Sequence, residues 1–111
     1  MKPRSISFVA PAYNENASFP ELIAELHAVG QKLGIPYEII IVDDGSTDGS
    51  AAQLARIAST DSKVHPIILR RNMGKATALM AGFQHSRGDV VVTLDADLQN
   101  DPNEVPKMLE W

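Results

Sequence analysis

The feature that most constrains this chain is a regular alternation of short apolar runs with stretches of helical periodicity. The apolar runs lie at residues 6–11, 37–43, 64–69 and 89–94. They are mostly apolar and do not alternate regularly between apolar and polar residues, which is typical of parallel strands covered on both faces. The resulting order βαβαβαβα predicts an α/β fold in which a mostly parallel sheet forms the middle of three layers. We treat residues 1–111 as one domain.

The first two intervals between these runs carry helix start and stop signals. Ser18 and Glu21 stand three positions apart in a capping-box pattern, and Gly34 ends the first predicted helix. Asp48 is placed to cap the second helix, which ends near Ser59. One apolar stripe of the first helix is predicted to face the sheet: Leu22, Leu26, Val29 and Leu33.

A third helix is predicted from Lys75 to His85, and a fourth begins at Asp101 and Pro102. The third helix also has an apolar stripe with helical spacing. Its members are Ala76, Leu79, Met80 and Phe83. We expect this stripe to belong to the core.

The composition excludes several classes of function. Ten Lys and Arg residues against fourteen Asp and Glu residues give a net charge of −4, which argues against a nucleic-acid-binding surface. The absence of cysteine excludes disulfides, thiolate catalysis and Cys-ligated metal centres. The longest aliphatic run, residues 39–42, is far shorter than the roughly 18 residues of a membrane span. We therefore expect a cytoplasmic location.

Polar residues follow every predicted strand, at positions 11–16, 43–48, 70–75 and 95–99. The carboxyl ends of parallel strands meet at one edge of the sheet, and ligands of open α/β sheets bind outside that edge. Any one of these segments has the composition of an ordinary turn. Four of them at the same edge predict a site for a polar ligand.

Two pairs of carboxylates stand out within these segments. Asp95 and Asp97 lie on the same side of an extended backbone and suit a shared hard divalent cation, with Gln99 as a further oxygen ligand. The alternative is that Asp97 caps a turn and Gln99 is a surface amide. Asp43 and Asp44 point to opposite sides, so we expect one to face a ribose or base and the other to accept backbone amides. Alternatively, both belong only to the turn.

Positive charge and an aromatic ring accompany the carboxylates. Arg70, Arg71 and Lys75 suit diphosphate oxygens, although isolated residues of this kind are usually solvated. Tyr13 suits stacking on a base, with packing in the core as the alternative. The histidines show no metal-binding spacing and are predicted to be structural or exposed: His27, His65 and His85.

Four motifs occur in a specific order along the chain. They are Pro-Ala-Tyr-Asn-Glu at 11–15, Val-Asp-Asp-Gly-Ser-Thr-Asp at 42–48, Arg-Asn-x-Gly-Lys at 71–75 and Leu-Asp-Ala-Asp-Leu-Gln at 94–99. Together they resemble the donor-binding half of family 2 glycosyltransferases with the GT-A fold, most closely the branch that acts on polyprenyl or dolichyl phosphate. The resemblance implies a Rossmann-like nucleotide-diphospho-sugar transferase fold, truncated after its metal motif.

The resemblance also implies roles for individual residues. Pro11, Ala12 and Tyr13 would frame the nucleobase, Glu15 would approach the ribose, and Asp44 would accept a hydrogen bond from the base. The remaining donor-binding side chains are Arg71 and Lys75. Asp95 and Asp97, with Gln99, would hold Mg²⁺ or Mn²⁺ on the diphosphate, and the two aspartates are the expected catalytic residues.

The activity implied is an inverting, metal-dependent transfer of a sugar from a UDP- or GDP-linked donor to a polyprenyl phosphate or a glycan. Family members associate with membranes through segments beyond the motifs found here, and a homo-oligomer is compatible with the sequence. Two other interpretations of the acidic edge stay open. One is a receiver-like regulatory module, although the adjacent acidic pair of this chain follows the second strand, whereas receivers carry theirs after the first. The other is a structural remnant that binds nothing.

Overall fold

A computed structural model describes residues 4–94 of the chain. The strands are β1 (Ile6–Ala12), β2 (Tyr37–Asp43), β3 (Val64–Ile68) and β4 (Val90–Thr93). The helices are α1 (Phe19–Leu33), α2 (Ser50–Thr60) and α3 (Lys75–His85), with a 3-10 turn at Asn16–Ser18 before α1. This alternation confirms the predicted element order as far as β4. The predicted helix at Asp101 lies outside the described residues.

The strands form one parallel sheet in the order β3-β2-β1-β4. Phe8 of β1 pairs with Ile39 of β2, and Ile40 of β2 pairs with His65 of β3. On the other side of β1, Ser7 pairs with Val91 of β4. The predicted parallel α/β sheet is therefore confirmed, and the carboxyl ends of the four strands lie at one edge.

Helices cover both faces of the sheet, which explains why the central strands are mostly apolar on both faces. Phe8 and Ile39 belong to the core that α1 and α2 cover, whereas Val9 and Ile40 belong to the core that α3 covers. Successive residues of each strand point to opposite faces, so both sets must be apolar. The predicted α1 stripe faces this core, and Leu22, Leu26 and Val29 are fully buried.

The predicted inward stripe of α3 is wrong for Ala76, Met80 and Phe83, which are exposed, whereas Leu79 packs against the core as predicted. Met80 is 56% exposed and Phe83 is 43% exposed, while Ala78 and Gly82 are buried against the sheet. The physical reason is close packing, because a Cβ at Gly82 would overlap the Cγ1 atom of Val9. Small residues thus form the most buried part of the contact face of α3, and Met80 and Phe83 are exposed.

The start of α1 also differs from the prediction. Ser18 has a helical backbone conformation and makes no side-chain capping bond to the helix. Its hydroxyl instead donates to Oε2 of Glu15 at 3.4 Å. The 3-10 turn before α1 brings Ser18 into helical conformation, so the capping-box geometry cannot form. Asp48 does bond the start of α2, since its Oδ1 accepts the backbone amide of Ser50 at 3.1 Å.

A buried polar group joins the amino-terminal ends of β1, β2 and β4. The hydroxyl of Ser7, which has no exposed surface, donates to Oε2 of Glu38 at 2.5 Å and accepts the backbone amide of Gly88 at 2.8 Å. The same Glu38 oxygen accepts the amide of Arg87 at 2.7 Å. A Cβ at Gly88 would lie 2.6 Å from the Ser7 nitrogen, so the turn before β4 packs directly on β1.

A second network joins α1, β2 and the turn after α2. Nδ1 of His27 lies 2.6 Å from the Tyr37 hydroxyl, and Nε2 lies 2.5 Å from Oδ2 of Asp61. Burial disfavours the Asp61 carboxylate, but hydrogen bonds from His27 and from the backbone amide of Lys63, together with coulombic attraction to the His27 and Lys63 side chains, leave its pKa below its ordinary value. Burial and the nearby Asp61 charge raise the pKa of Tyr37.

Within residues 4–94, no helix has the length and apolarity needed to cross a bilayer.

Candidate functional site

The order in which successive strands are added to the sheet reverses at β1. From β1 the chain moves to β2 and β3 on one side, and then crosses through α3 to β4 on the other side. At such a switch point the connections leave toward opposite faces and open a crevice outside the strand ends. The polar segments after β1, β2 and β3 all lie at this edge, as the sequence predicts.

The segment after β1 presents both buried and exposed groups. Pro11 is half-buried, Ala12 is buried, and the carbonyl of Ala12 accepts the amide of Asp44 at 2.8 Å. Tyr13 is 44% exposed, so its ring is not packed in the core and is accessible to a planar ligand. Glu15 is half-buried and accepts the Ser18 hydroxyl.

Asn14 joins the segment after β1 to the segment after β2, a role that the motif analysis missed. The side-chain Oδ1 of Asn14 accepts the backbone amide of Thr47 at 2.8 Å, and the backbone amide of Asn14 donates to Oγ of Ser46 at 2.8 Å. Asn14 has a φ of 54°, a left-handed conformation that asparagine tolerates better than most residues. An asparagine within the polar segment that follows the first predicted strand is the signal in the sequence for this turn.

Asp43 and Asp44 at the end of β2 are both buried and both accept backbone amides. Oδ1 of Asp43 accepts the amide of Ser46 at 3.2 Å. Asp44 is 5% exposed, and its two oxygens accept the amides of Met73 at 2.7 Å and Gly74 at 3.0 Å. The expected hydrogen bond from a base to Asp44 stays a prediction.

The segment after β3 brings positive charge to the same edge. Arg70 and Arg71 are exposed, and Lys75, the first residue of α3, is exposed as well. Gly74 precedes α3 with a φ of 96°, and its amide is shared between Asp44 and Oδ1 of Asn72 at 3.1 Å. Three cationic side chains therefore lie at a connection whose Met73 and Gly74 amides bond Asp44, an arrangement suited to phosphate oxygens.

The expected metal ligands Asp95, Asp97 and Gln99 lie outside the described residues. Their carboxylate and amide oxygens are the kind of donor that Mg²⁺ and Mn²⁺ prefer, so the donor set fits the expected ion. Among residues 4–94, no three potential ligands are grouped so that they could hold a metal.

The histidines have the structural or exposed positions that the sequence predicts. His27 belongs to the network with Tyr37 and Asp61. His65 is exposed, with Nε2 3.8 Å from Oε1 of Glu38. The exposed His85 bonds the carbonyl of Ala81 through Nδ1 at 2.9 Å.

Comparison with known proteins decides the family. The profile described as Glycosyl transferase family 2 matches residues 7–111 of the chain. The chain belongs to glycosyltransferase family 2. The match spans the strand-end segments described above as well as the residues that carry Asp95 and Asp97, and it leaves the receiver-like alternative without support.

Relatives in this family share half of their matched residues with the chain. An undecaprenyl-phosphate 4-deoxy-4-formamido-L-arabinose transferase from Pectobacterium atrosepticum is 50% identical over 97% of the chain and 33% of its own length. A protein of the same name from Pseudomonas fluorescens is 52% identical over 99% of the chain and 33% of its own length. The chain thus spans about a third of the length of these family 2 relatives.

Solved structures of glycosyltransferases share the fold of the chain. A mannosyltransferase from Pyrobaculum calidifontis, in complex with GDP-Man and Mn²⁺, superposes with a TM-score of 0.73 at 29% identity, over 87% of this chain and 28% of its own. A glucosyl-3-phosphoglycerate synthase from Mycobacterium tuberculosis, in complex with Mn²⁺, UDP and phosphoglyceric acid, superposes with a TM-score of 0.70 at 31% identity. That match covers 93% of this chain and 37% of the synthase. The chain therefore has the GT-A fold of family 2 enzymes.

Proposed function

We propose that the chain binds the nucleoside-diphosphate-sugar donor of an inverting, divalent-metal-dependent glycosyltransferase that acts on a polyprenyl phosphate. The observation that carries the proposal is the joining of three strand-end segments at the switch point of a family 2 sheet. Asn14 ties the first segment to the second, and Asp44 ties the second to the third. Such cross-linking preorganises a site, which lowers the cost of ordering loops when a ligand binds.

The donor would lie across this edge with its base toward the end of β1. Pro11, Ala12 and Tyr13 would frame the base, and the exposed Tyr13 ring supports stacking. Glu15 would approach the ribose. Arg71 and Lys75 would bind the diphosphate, which their exposed positive charges support.

The chemical step is a single displacement at the anomeric carbon. An acceptor oxygen forms a bond to this carbon from one face, and the bond to the diphosphate oxygen breaks on the other, so the configuration inverts. The electron pair of the broken bond leaves on the nucleoside diphosphate, where Arg71 and Lys75 would stabilise the negative charge. Mg²⁺ or Mn²⁺, held by Asp95 and Asp97 with Gln99, would supply further positive charge for the same leaving group.

The acceptor determines whether a base is needed. A polyprenyl phosphate presents an oxygen that is already anionic, so no general base is required, whereas a sugar hydroxyl requires a carboxylate base. The names of the relatives make undecaprenyl phosphate the acceptor, and 4-deoxy-4-formamido-L-arabinose the sugar, to test first. Because a lipid phosphate lies at a bilayer, we place the full protein at the cytoplasmic face of a membrane.

The test is a calorimetric titration of UDP and GDP in the presence and absence of Mn²⁺. We expect one nucleotide to bind in a metal-dependent manner, and Asp97→Ala to abolish the metal-dependent part. Asp89→Ala, which removes an exposed carboxylate that accepts the Arg4 backbone amide, is the matched control and should bind normally. Absence of binding by the folded chain and by the gene's full product would overturn the proposal.

A further inference from the structure

Helix α3 has apolar side chains on the face that points away from the sheet. Ala78 and Gly82 are its buried residues, so the outward face lies on the opposite side of the helix. Ala76, Met80 and Phe83 follow one another at intervals of four and three residues, share this outward face and are all exposed. Exposed apolar side chains that adjoin one another in this way mark a contact surface.

Positive charge lies at both ends of the outward face. Arg70, Arg71 and Lys75 are exposed before and at the start of α3, and Arg87 is exposed two residues beyond its end. Because a helix of 11 residues is about 16 Å long, these cations bracket the apolar side chains within a short distance. We call six of these side chains the α3 surface: Arg70, Arg71, Lys75, Met80, Phe83 and Arg87.

The charge of the chain is distributed unevenly along the sequence. No acidic residue occurs between Asp61 and Asp89, and this interval holds five of the ten Lys and Arg residues. The remainder of the chain holds the other five together with all fourteen Asp and Glu residues. Of the five, Lys63 lies apart from the α3 surface, with its Nζ atom 4.3 Å from the centre of the Tyr37 ring. The net charge of −4 therefore conceals a basic surface on an otherwise acidic chain.

An anionic bilayer has the chemistry that matches this surface. Each Lys or Arg near anionic headgroups strengthens binding about fivefold, and apolar side chains enter the boundary between headgroups and acyl chains. Each contribution is weak alone, and the two together give stable binding. A second copy of the chain matches less well, because a two-fold contact through α3 would bring like charges together.

We propose that the α3 surface binds a bilayer that contains anionic lipids, with α3 parallel to the membrane plane. Met80 and Phe83 enter the interface, and the cations at the two ends of α3 lie among the headgroups. The same bilayer repels the acidic remainder of the chain, which fixes the orientation. This inference rests on the proposed function in one respect, since a lipid-phosphate acceptor has to be reached from a bilayer.

The first arm of the test measures the partition of the unsubstituted chain onto vesicles. We expect binding at low salt to vesicles of phosphatidylglycerol and phosphatidylcholine, and binding on the order of a hundredfold weaker to phosphatidylcholine alone. Added salt should weaken binding to the mixed vesicles, because it screens the charge of the headgroups. Absence of binding to the mixed vesicles, or equal binding to both kinds, would overturn the proposal.

Substitutions within the α3 surface should weaken binding to the mixed vesicles. Phe83→Ser removes an apolar side chain from the interface and should weaken binding about tenfold. Arg87→Gln removes one cation and should weaken binding about fivefold.

Each of these variants has a matched control elsewhere on the chain. Ile68→Ser removes a side chain that is 47% exposed and that points away from the face where its neighbour Ile67 packs near α3. Arg56→Gln removes an exposed cation from α2, which covers the other face of the sheet. Both controls should bind as the unsubstituted chain does. A control as weak as its partner would contradict the assignment to α3.

The second arm locates the contact with one fluorophore at a time. The chain contains no cysteine, so Met80→Cys and Ala55→Cys each provide a single labelling position, on the exposed sides of α3 and α2. On mixed vesicles, the emission of the label at position 80 should shift to the blue and should be quenched by nitroxide-labelled acyl chains. The label at position 55 should not respond. Equal responses at the two positions would show adsorption without a preferred orientation and would overturn the proposal.

The inference and the proposed function fail separately, because vesicle binding requires no nucleotide. A chain that binds nucleotide but not vesicles loses only the membrane contact, and a chain that binds vesicles through α3 but no nucleotide loses only the donor-binding function. If Phe83→Ser does not fold, Arg87→Gln and the two labels still decide. A label at position 80 that is quenched in the chain but not in the gene's full product would show that the rest of the protein covers α3, which would overturn the proposal.

Discussion

The Oδ1 atom of Asn14 accepts the backbone amide of Thr47 at 2.8 Å, across the gap between the loops that follow β1 and β2. The Thr47 hydroxyl approaches the same oxygen at 3.4 Å. The Asn14 side chain thus joins these two loops by a hydrogen bond to backbone, as backbone hydrogen bonds join β1 and β2 within the sheet. The arrangement depends on the left-handed backbone of Asn14, which turns its amide toward Ser46.

Substitution of Asn14 should reverse the usual ranking of alanine and glycine. Asn14→Gly removes the side-chain bonds to Thr47 but keeps the left-handed backbone available, a loss of about 1 kcal/mol. Asn14→Ala removes the same bonds and adds about 1–2 kcal/mol of backbone strain. Urea unfolding should therefore show Asn14→Ala to be the less stable of the two. Equal stabilities, or a more stable alanine variant, would show that the left-handed conformation is not maintained in solution.

Alanine substitutions at two left-handed glycines should separate backbone strain from close approach. Gly34 and Gly45 have φ values of 70° and 73°, so both substitutions carry similar strain of about 1–2 kcal/mol. A Cβ at Gly34 meets nothing within 4 Å, whereas a Cβ at Gly45 runs into Arg71 and Asn72. Gly45→Ala should cost about 1–3 kcal/mol more than Gly34→Ala in urea unfolding. A difference near zero would mean that the loop of Gly45 and the segment of Arg71 and Asn72 can move apart without a cost in stability.

Removal of the Ser7 hydroxyl should lower the free energy of unfolding much more than removal of the hydroxyl of a surface serine. Ser7→Ala leaves the half-buried Gly88 amide without its acceptor and removes the donor to Glu38, a loss of about 1–3 kcal/mol. Ser59→Ala is the matched control, because its exposed hydroxyl bonds only the Arg56 carbonyl of its own helix among the described contacts. The control should stay within about 0.5 kcal/mol of the unsubstituted chain. Comparable losses for both variants would contradict the role of Ser7.

The contribution of Asp61 to stability should disappear in acid. The folded-state pKa of Asp61 lies below its ordinary value, so the folded state favours the ionised carboxylate. This stabilisation is fully present above the unfolded-state pKa of about 3.9 and is lost as the pH falls through the lower folded-state pKa.

Urea unfolding of the unsubstituted chain and of Asp61→Asn at several pH values checks this prediction. The unsubstituted chain should be more stable near pH 6, and the difference should shrink below about pH 4 as the carboxylate becomes protonated. A difference that stays constant between pH 6 and pH 2 would mean that the hydrogen bond to His27 does not favour the ionised form.

Much of the fold could be predicted because local patterns carry it. Mostly apolar runs identified β1 to β4, and helical spacing with Gly34 as a stop identified α1. The inward face of α3 could not be predicted in this way. Hydrophobic spacing favoured Met80 and Phe83, but the distance between helix and sheet selected Ala78 and Gly82.

The candidate site divides in the same manner. Strand-end motifs located the correct edge of the sheet, since parallel topology brings every carboxyl end to one side. They did not distinguish the partners of Asp43 from those of Asp44, because carboxylates at a strand end accept equally well from a ligand or from a backbone amide. Asn14 was not singled out, since its partner Thr47 is 33 positions away in the chain.

The sequence by itself determined the order of strands and helices, the edge where polar groups gather and the family to which the motifs belong. These properties follow from periodicity and composition within short windows, where neighbouring residues decide the local structure. Only the tertiary structure decided that Asp44 holds the amides of Met73 and Gly74, and that small residues of α3 face the sheet. Such contacts join residues far apart in the chain, and they depend on how closely two backbones approach, a distance that no local pattern encodes.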